Sequence, residues 1–555
     1  MRLLVALAVA LGFGLPGLFA ADPAYDVVIR GGTIVDGTGN PWFRGDIAVR
    51  GDRIVAVGRV PPGAARREID AKGLVVAPGF IDMHSHSDYV LLEDGHAQSK
   101  IRQGVTTEVL GEGQSAGPFQ GQLKPRHAII RGQDVQWTTL GGYFATLEKS
   151  GVAVNVASYV GMDNVWESVM GTSHDRPTAE QKEQMKAMVE AAMHDGAFGL
   201  STMLAMPPGD LATTDDLVEM CRVVAKHGGI YSTHNRNEGT EVFAAIREAI
   251  AIGEQAGVPV DVIHLKIADQ KLWGRMNEIV AMIEDARRRG VNVQANVYPY
   301  IRGNNNLASI IPPWAHEGGT AEMLKRLKDP KLRDRLKKEI RGGIPAWYNH
   351  FTAVGGDWSR MLVSGKGRYE GLTMDRVLAV RPGRPTDDLD ALFDILVEEG
   401  GSVPTVYAHH TEKDMQLALS QPWCSIGSDG SALSTEGPLR RGNPHPRNFG
   451  TFPRVLGVYV RELKVLRLED AVRKMTSLNA AKLGITDRGI LRPGNFADIT
   501  LFNPERVIDQ ATYERPFAYN VGIEYVVVNG QVVLDRGTHT GVRPGRALRH
   551  TAPAP

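Results

Sequence analysis

Two histidines one residue apart, His84 and His86, stand in the segment Gly79-Phe-Ile-Asp-Met-His-Ser-His-Ser-Asp88. On extended backbone, residues i and i+2 point to the same side, so the pair can offer two imidazoles to one ion. The spacing alone is weak evidence, because most histidines serve at surfaces or in ordinary hydrogen bonds. Three further residues strengthen it: His234 in Tyr231-Ser-Thr-His-Asn-Arg-Asn-Glu238, His264 in Val262-Ile-His-Leu-Lys266, and Asp429 in Ile426-Gly-Ser-Asp-Gly430. Each comes at the end of an apolar, strand-like run. Imidazoles and a carboxylate around a divalent ion are equipment for hydrolysis. The ion acidifies a water and polarises a carbonyl, and Asp429 can take the water's proton and pass it to a leaving amine.

The elements that must position these groups are legible as β-rich runs separated by helical patterns. Eight runs recur: Leu74-Val-Val-Ala-Pro-Gly-Phe-Ile-Asp82, Val105-Thr-Thr-Glu-Val-Leu110, Val152-Ala-Val-Asn-Val-Ala157, Ala197-Phe-Gly-Leu200, Gly229-Ile-Tyr-Ser-Thr233, Val258-Pro-Val-Asp-Val-Ile263, Val291-Asn-Val-Gln-Ala-Asn296 and Cys424-Ser-Ile-Gly427. Strands alternating with helices imply parallel pairing, and eight such units make an α/β fold of the (β/α)8 TIM-barrel kind. In that fold every strand delivers its C-terminal end to one rim, so residues distant in sequence converge there. The barrel is expected over 77–484, with a helix over Thr178–Met193 among its crossovers. A long, basic, Gly-rich stretch at about 304–375 follows the seventh strand and reads as a lid or specificity insertion. Short β-branched runs at both chain ends, 22–76 and 485–550, read as one small antiparallel β-sandwich domain, with an Asn529-Gly530 hairpin turn.

A chain of 555 residues, 43% apolar and 23% charged, is globular and long enough for such a barrel plus a companion. Lysine plus arginine equals aspartate plus glutamate at 63 each, so no overall field recruits nucleic acid or an anionic membrane. Residues 1–21 carry one early cation, an apolar run broken by Gly12, Gly14, Pro16 and Gly17, and small residues at Ala20 and Ala21. That pattern reads as a cleaved signal peptide and a periplasmic or secreted product without a membrane anchor. Two cysteines, Cys221 and Cys424, supply no disulfide framework.

From about residue 25 to 550 the sequence resembles the amidohydrolase superfamily, and within it the D-aminoacylase (N-acyl-D-amino-acid deacylase) family. The pieces that carry the likeness are Pro78-Gly-Phe-Ile-Asp-Met-His-Ser-His-Ser-Asp88, Gly199-Leu-Ser-Thr202, Thr233-His-Asn-Arg-Asn-Glu-Gly239, His264-Leu-Lys266, Val297-Tyr-Pro-Tyr300, Gly427-Ser-Asp-Gly430, His445-Pro-Arg-Asn-Phe-Gly-Thr-Phe-Pro-Arg454 and Gly541-Val-Arg-Pro-Gly-Arg546. The resemblance implies one or two divalent ions, Zn2+ in the first instance. His84, His86 and Asp429 would surround one position, and His234 and His264 would belong to the other. It also implies a small-molecule substrate, an N-acyl-D-amino acid, whose free carboxylate is clamped by Lys266 and Arg447 with help from Tyr298.

The chain departs from the family pattern in several places. Relatives complete the second metal position with a cysteine in a Gly-Asn-Cys-Gly turn, where this chain reads Gly111-Glu-Gly-Gln114 with glycine at 113. Glu112 is the expected substitute, a hard carboxylate able to bridge two ions; the alternatives are a solvated loop residue or an outer partner of His234. For Lys266, a carboxylated bridging lysine or a plain ion pair stays open beside the clamp. Met206 stands where relatives have an aromatic hydroxyl, and Met162 and Asp163 where a Gly-His-Gly-like turn is expected. His409 and His410 are off-pattern and read as structural histidines or pocket lining. Two other readings remain: a cyclic amidase or dipeptidase on the same barrel, hydantoinase- or dihydroorotase-like, and a non-catalytic periplasmic binding protein. Oligomeric state is not legible.

Overall fold

The computed structural model describes residues 24–62, 65–130, 132–345, 347–381 and 387–551, so the signal-peptide reading of 1–21 lies outside the described residues. Eight parallel strands form the centre: β1 (Phe80–Asp82), β2 (Val105–Leu110), β3 (Asn155–Ser158), β4 (Gly199–Met203), β5 (Ile230–His234), β6 (Val260–Val262), β7 (Val293–Val297) and β8 (Cys424–Ile426). Each falls within or beside one of the eight expected runs. They pair in chain order, β1 with β2 and β2 with β3, then β4 through β8 in succession. Past Tyr159, β3 continues as Val160–Gly161, which pairs with β4. The ring is completed by a parallel bridge between Ser85 and Gly430, beyond the ends of β1 and β8.

The local reasons are those the sequence suggests. All six residues of β2 are buried, as expected where a parallel strand is covered on both faces. The helix expected at Thr178–Met193 spans Ala179–Asp195. Thr178 accepts from the Gln181 backbone while the Gln181 side chain accepts from the Thr178 backbone, which satisfies two of the donors a helix N-terminus leaves unpaired. Gly196 ends it in the left-handed region, φ 108°. One large apolar core lies between strands and helices and includes both free cysteines, Cys221 and Cys424. No helix among the described residues is long and apolar enough to cross a membrane.

The chain ends join in one nine-stranded sheet, with Ile499–Phe502 antiparallel to Val75–Pro78. The sheet is mixed rather than purely antiparallel as expected. Tyr25–Ile34 is ten residues long, and while one edge pairs antiparallel with Phe43–Arg50, the other takes Ala65–Asp70 and Val75–Pro78 in parallel, one after the other. Asn529 and Gly530 turn the hairpin between Ile523–Val528 and Gln531–Asp535 with positive φ at both residues, the geometry a tight two-residue hairpin needs.

The insertion expected over about 304–375 is a folded unit that runs on to Tyr407. Its strands Gly303–Asn306, Met361–Val363 and Pro404–Tyr407 pair antiparallel, and its helices enclose a separate apolar core that includes Leu307, Leu336, Phe393 and Tyr407. The Gly-rich, charged surface conceals that core in the sequence, because its apolar residues are contributed a few at a time from segments spread along the whole insertion.

Candidate metal centre

The expected ligands sit where the barrel strands end. His84 and His86 follow β1, Glu112 follows β2, His234 closes β5, His264 lies just past β6, and Asp429 just past β8. Backbone contacts bring the first and last of these together: Asp429 N donates to His84 O (2.8 Å) and His86 N to Gly430 O (3.1 Å). His264 (φ 39°) and Asp429 (φ 51°) occupy the left-handed region, which is costly for residues with a Cβ and persists where surroundings over-determine it. At His264 the restraint is Asn296, whose side-chain oxygen accepts from His264 N at 3.0 Å and whose carbonyl accepts from Leu265 N at 2.9 Å.

The result is two overlapping groups of donor atoms, His84, His86, Glu112 and Asp429 in one and Glu112, His234 and His264 in the other. Glu112 Oε2 lies 2.5 Å from His84 Nε2 and 3.0 Å from His86 Nε2, while its Oε1 is 3.6 Å from His264 Nε2. Asp429 Oδ1 is 3.0 Å from His86 Nε2, and Oδ2 is 4.0 Å from His264 Nε2. Glu112 is thus the member common to both groups.

Electrostatics agree with a cation site. Desolvation opposes charge on His86, but hydrogen bonds to Asp429 and Glu112, together with their charges, outweigh it and raise its pKa to about 10. Burial alone would raise Glu112, yet the charge of His84 and hydrogen bonds from His264, His84 and His86 hold it well below the carboxylate range. Asp429 is lowered in the same way, against burial, chiefly by Arg447 and His84. Two buried carboxylates demand positive charge, which protonated imidazoles such as His86 supply without an ion and which a divalent ion would supply in their place, freeing the ring nitrogens as donors. That N/O donor set fits a divalent ion of the zinc type.

Support comes from residues the sequence reading did not assign. Glu238 Oε1 lies 3.1 Å from His264 Nδ1 and accepts from Lys266 Nζ at 2.6 Å; Lys266 also stands 2.8 Å from His264 Nδ1. A carboxylate on the far nitrogen of a ligating imidazole fixes its tautomer and orientation. The signal was available, since Glu238 lies four residues after His234 within a quoted motif. Deeper still, the fully buried Lys100 donates to Asp82 Oδ2 (2.7 Å), Ser428 Oγ (2.9 Å) and Gly430 O (2.8 Å), while Asp82 Oδ1 accepts from Ser428 N (2.7 Å). This pair ties the β1 and β8 ends that carry His84, His86 and Asp429. Lys100→Met strands Asp82 without a counter-charge, and we expect it to lower unfolding free energy by about 3–5 kcal/mol in denaturant titrations.

Among the expected substrate contacts, Arg447 is at the centre: Nη2 donates to Asp429 Oδ1 and Nη1 lies beside Oδ2, both at 2.8 Å, with the guanidinium 4.8 Å from the Tyr298 ring centroid. Lys266 points at Glu238 and His264 and is 5.9 Å from that centroid. The Tyr298 hydroxyl is buried without a hydrogen-bond partner among the described residues. His409 and His410 are buried against each other, Nδ1 to Nδ1 at 3.0 Å, and His410 Nε2 bonds Tyr300 O, so they are structural. Met206 lines the cleft. At Gly113, an added Cβ would stand 2.5 Å from Met203 Cβ with φ already +60°, so the neighbourhood leaves no room for a cysteine. Gly113→Cys should therefore destabilise by about 1–3 kcal/mol through overpacking, with bound metal unchanged.

The groups open into a cleft of about 630 Å³, within the usual size for small-molecule sites, walled partly by Asn304 and Asn305 of the insertion. The profile of the Amidohydrolase family matches residues 67–534. A D-aminoacylase of Alcaligenes xylosoxydans xylosoxydans is 36% identical over 531 residues, covering 95% of this chain and 98% of that protein. The crystal structure of an N-acyl-D-glutamate deacylase from Bordetella bronchiseptica, complexed with zinc and a phosphonate mimic of the tetrahedral intermediate, is 33% identical with a TM-score of 0.78, covering 95% and 99% of the two chains. A D-aminoacylase structure described for its binuclear metal centre is 34% identical with a TM-score of 0.77, covering 95% and 100%.

Proposed function

The chain belongs to the amidohydrolase family, and from that membership we propose that it hydrolyses N-acyl-D-amino acids to a carboxylate and a free D-amino acid. The observation that carries the reading is the overlap of two donor groups at Glu112 with the Arg447 guanidinium beside them. His84, His86, Glu112 and Asp429 would hold one divalent ion, with zinc the favoured identity, and Glu112, His234 and His264 a second. Such an ion, when bound, acidifies a water and polarises the scissile carbonyl.

The chain's own groups do the rest. Asp429 accepts the attacking water's proton and returns it to the departing amine nitrogen. Arg447 presents a planar, permanently charged fork to the substrate carboxylate, and the unpaired Tyr298 hydroxyl can add one donor. Lys266 and Glu238 hold His264 in orientation, so the part of Lys266 is to position that imidazole. Removing the guanidinium in Arg447→Met is expected to lower kcat/KM by about 10- to 100-fold, the value of charged hydrogen bonds lost to a buried anion. Steady-state rates on one N-acyl-D-amino acid would check this.

The deciding experiment is a panel of N-acetyl-D- and N-acetyl-L-amino acids, cyclic imides and D-containing dipeptides, with zinc and after chelation. Metal-dependent release of D-amino acids is expected. Turnover of cyclic imides alone, or no turnover with bound zinc, would refute the reading. The 1–21 pattern supports export of the mature enzyme to the periplasm or beyond.

A further inference from the structure

Beside the metal-centre groups Asp429 and Arg447, the cleft is lined by two further acids, Asp163 and Glu167, and by Phe119 and Met206. Asp163 sits against the turn that follows Glu112, its N donating to Gly113 O at 2.9 Å. Asp163 is the second residue of the helix Met162–Met170, is 1% exposed, and has an Oδ1 with no hydrogen-bond partner among the described residues. Two glycines leave its carboxyl room: a Cβ on Gly113 would stand 3.2 Å from Oδ2, and one on Gly209 3.2 Å from Oδ1.

The surroundings of that carboxyl are acidic. Burial is the largest influence raising its pKa, and the charges of Glu167, Glu112 and Asp210 add to it. Arg126 also lines the cleft, 5.2 Å from the Phe119 ring centroid and 5.6 Å from that of Tyr89. It acts on Glu167 rather than on Asp163. A buried carboxyl oxygen without a donor is destabilising, so its place in a cleft wall favours a donor brought by the ligand. Two acids stacked toward one space favour a donor that is also positively charged.

We propose that this part of the cleft wall receives a cationic group of the substrate, an ammonium or guanidinium, at Asp163 and Glu167. The preferred substrates are then N-acyl-D-amino acids that carry a positive charge as well as the carboxylate held at Arg447. This rests on the deacylase reading above. The cation has two sources, the α-ammonium of an aminoacyl group or the side chain of the D-residue, and matched pairs separate them.

In the first pair, glycyl-D-leucine differs from N-acetyl-D-leucine by one ammonium. In the second, Nα-acetyl-D-lysine is set against Nα-acetyl-D-norleucine. The cationic member of at least one pair should show kcat/KM about tenfold or more above its neutral partner, the discrimination expected when a site built for a charged hydrogen bond meets a ligand lacking it. In Asp163→Asn that ratio should fall toward one, and in Glu167→Gln, a partly exposed position that keeps the test open if the first variant misfolds, it should fall in the same direction. Neutral members favoured in both pairs, or ratios unmoved in both variants, would overturn the inference while leaving the deacylase reading intact. No turnover of any D-substrate would overturn both.

Discussion

The Asp429→Asn substitution is expected to give a folded protein that retains much of its metal and turns over N-acyl-D-amino acids about 10²- to 10⁴-fold more slowly, the usual contribution of a positioned general base. The change is nearly isosteric, and the amide oxygen can still accept from Arg447, which now lies 2.8 Å from each carboxylate oxygen. What it removes is the negative charge and the ability to take a proton. The two effects point the same way on kcat and differ on metal content, because His84, His86 and Glu112 remain as donors. Circular dichroism, metal analysis and kcat on one preparation would check the expectation together. An Asp429→Asn protein with more than a tenth of the parent rate would sink the base role.

The second large effect is expected at Glu112. Its two oxygens face different imidazoles, His84 and His86 on one side and His264 on the other, so loss of its charge touches both donor groups at once. Glu112→Gln should bind fewer ions per chain, or bind them more than about 100-fold more weakly, since even outer partners of metal ligands are worth about 10- to 100-fold in affinity. Activity should fall in step with metal content. Glu112→Asp, which keeps the charge on a shorter stem, should recover part of both. If Glu112→Gln leaves metal stoichiometry and affinity where they were, the carboxylate is only a hydrogen-bond partner of His84, and the bridging assignment is wrong.

These two residues were not equally legible. Asp429 follows a short apolar run and a Gly-Ser turn, and the barrel rule that strand ends meet at one rim put it on the same rim as His84 and His86, while the family resemblance grouped the three around one metal position. Glu112 was singled out only because a neighbouring glycine stands where the family resemblance leads one to expect a cysteine. The structure adds the reason that glycine stays, since Met203 occupies the space a side chain at 113 would need.

Local pattern determined the strands, the Thr178 capping box, the Asn529-Gly530 turn and the histidines that end the strands. Each of these depends on neighbours within a few residues, which periodicity and turn chemistry record. Tertiary structure alone decided that Lys266 serves Glu238 and His264, that Lys100 and Asp82 lock the first strand to the eighth, that the insertion has a core of its own, and that Asp163 ends unpartnered against the cleft. Those outcomes depend on contacts between residues far apart in the chain, such as Lys100 and Gly430 at a separation of 330, and no local pattern encodes which distant side chains will share a buried charge. His84 and His86 span both cases: their spacing made them a candidate pair, and the closure of the barrel between Ser85 and Gly430 brought them to Asp429.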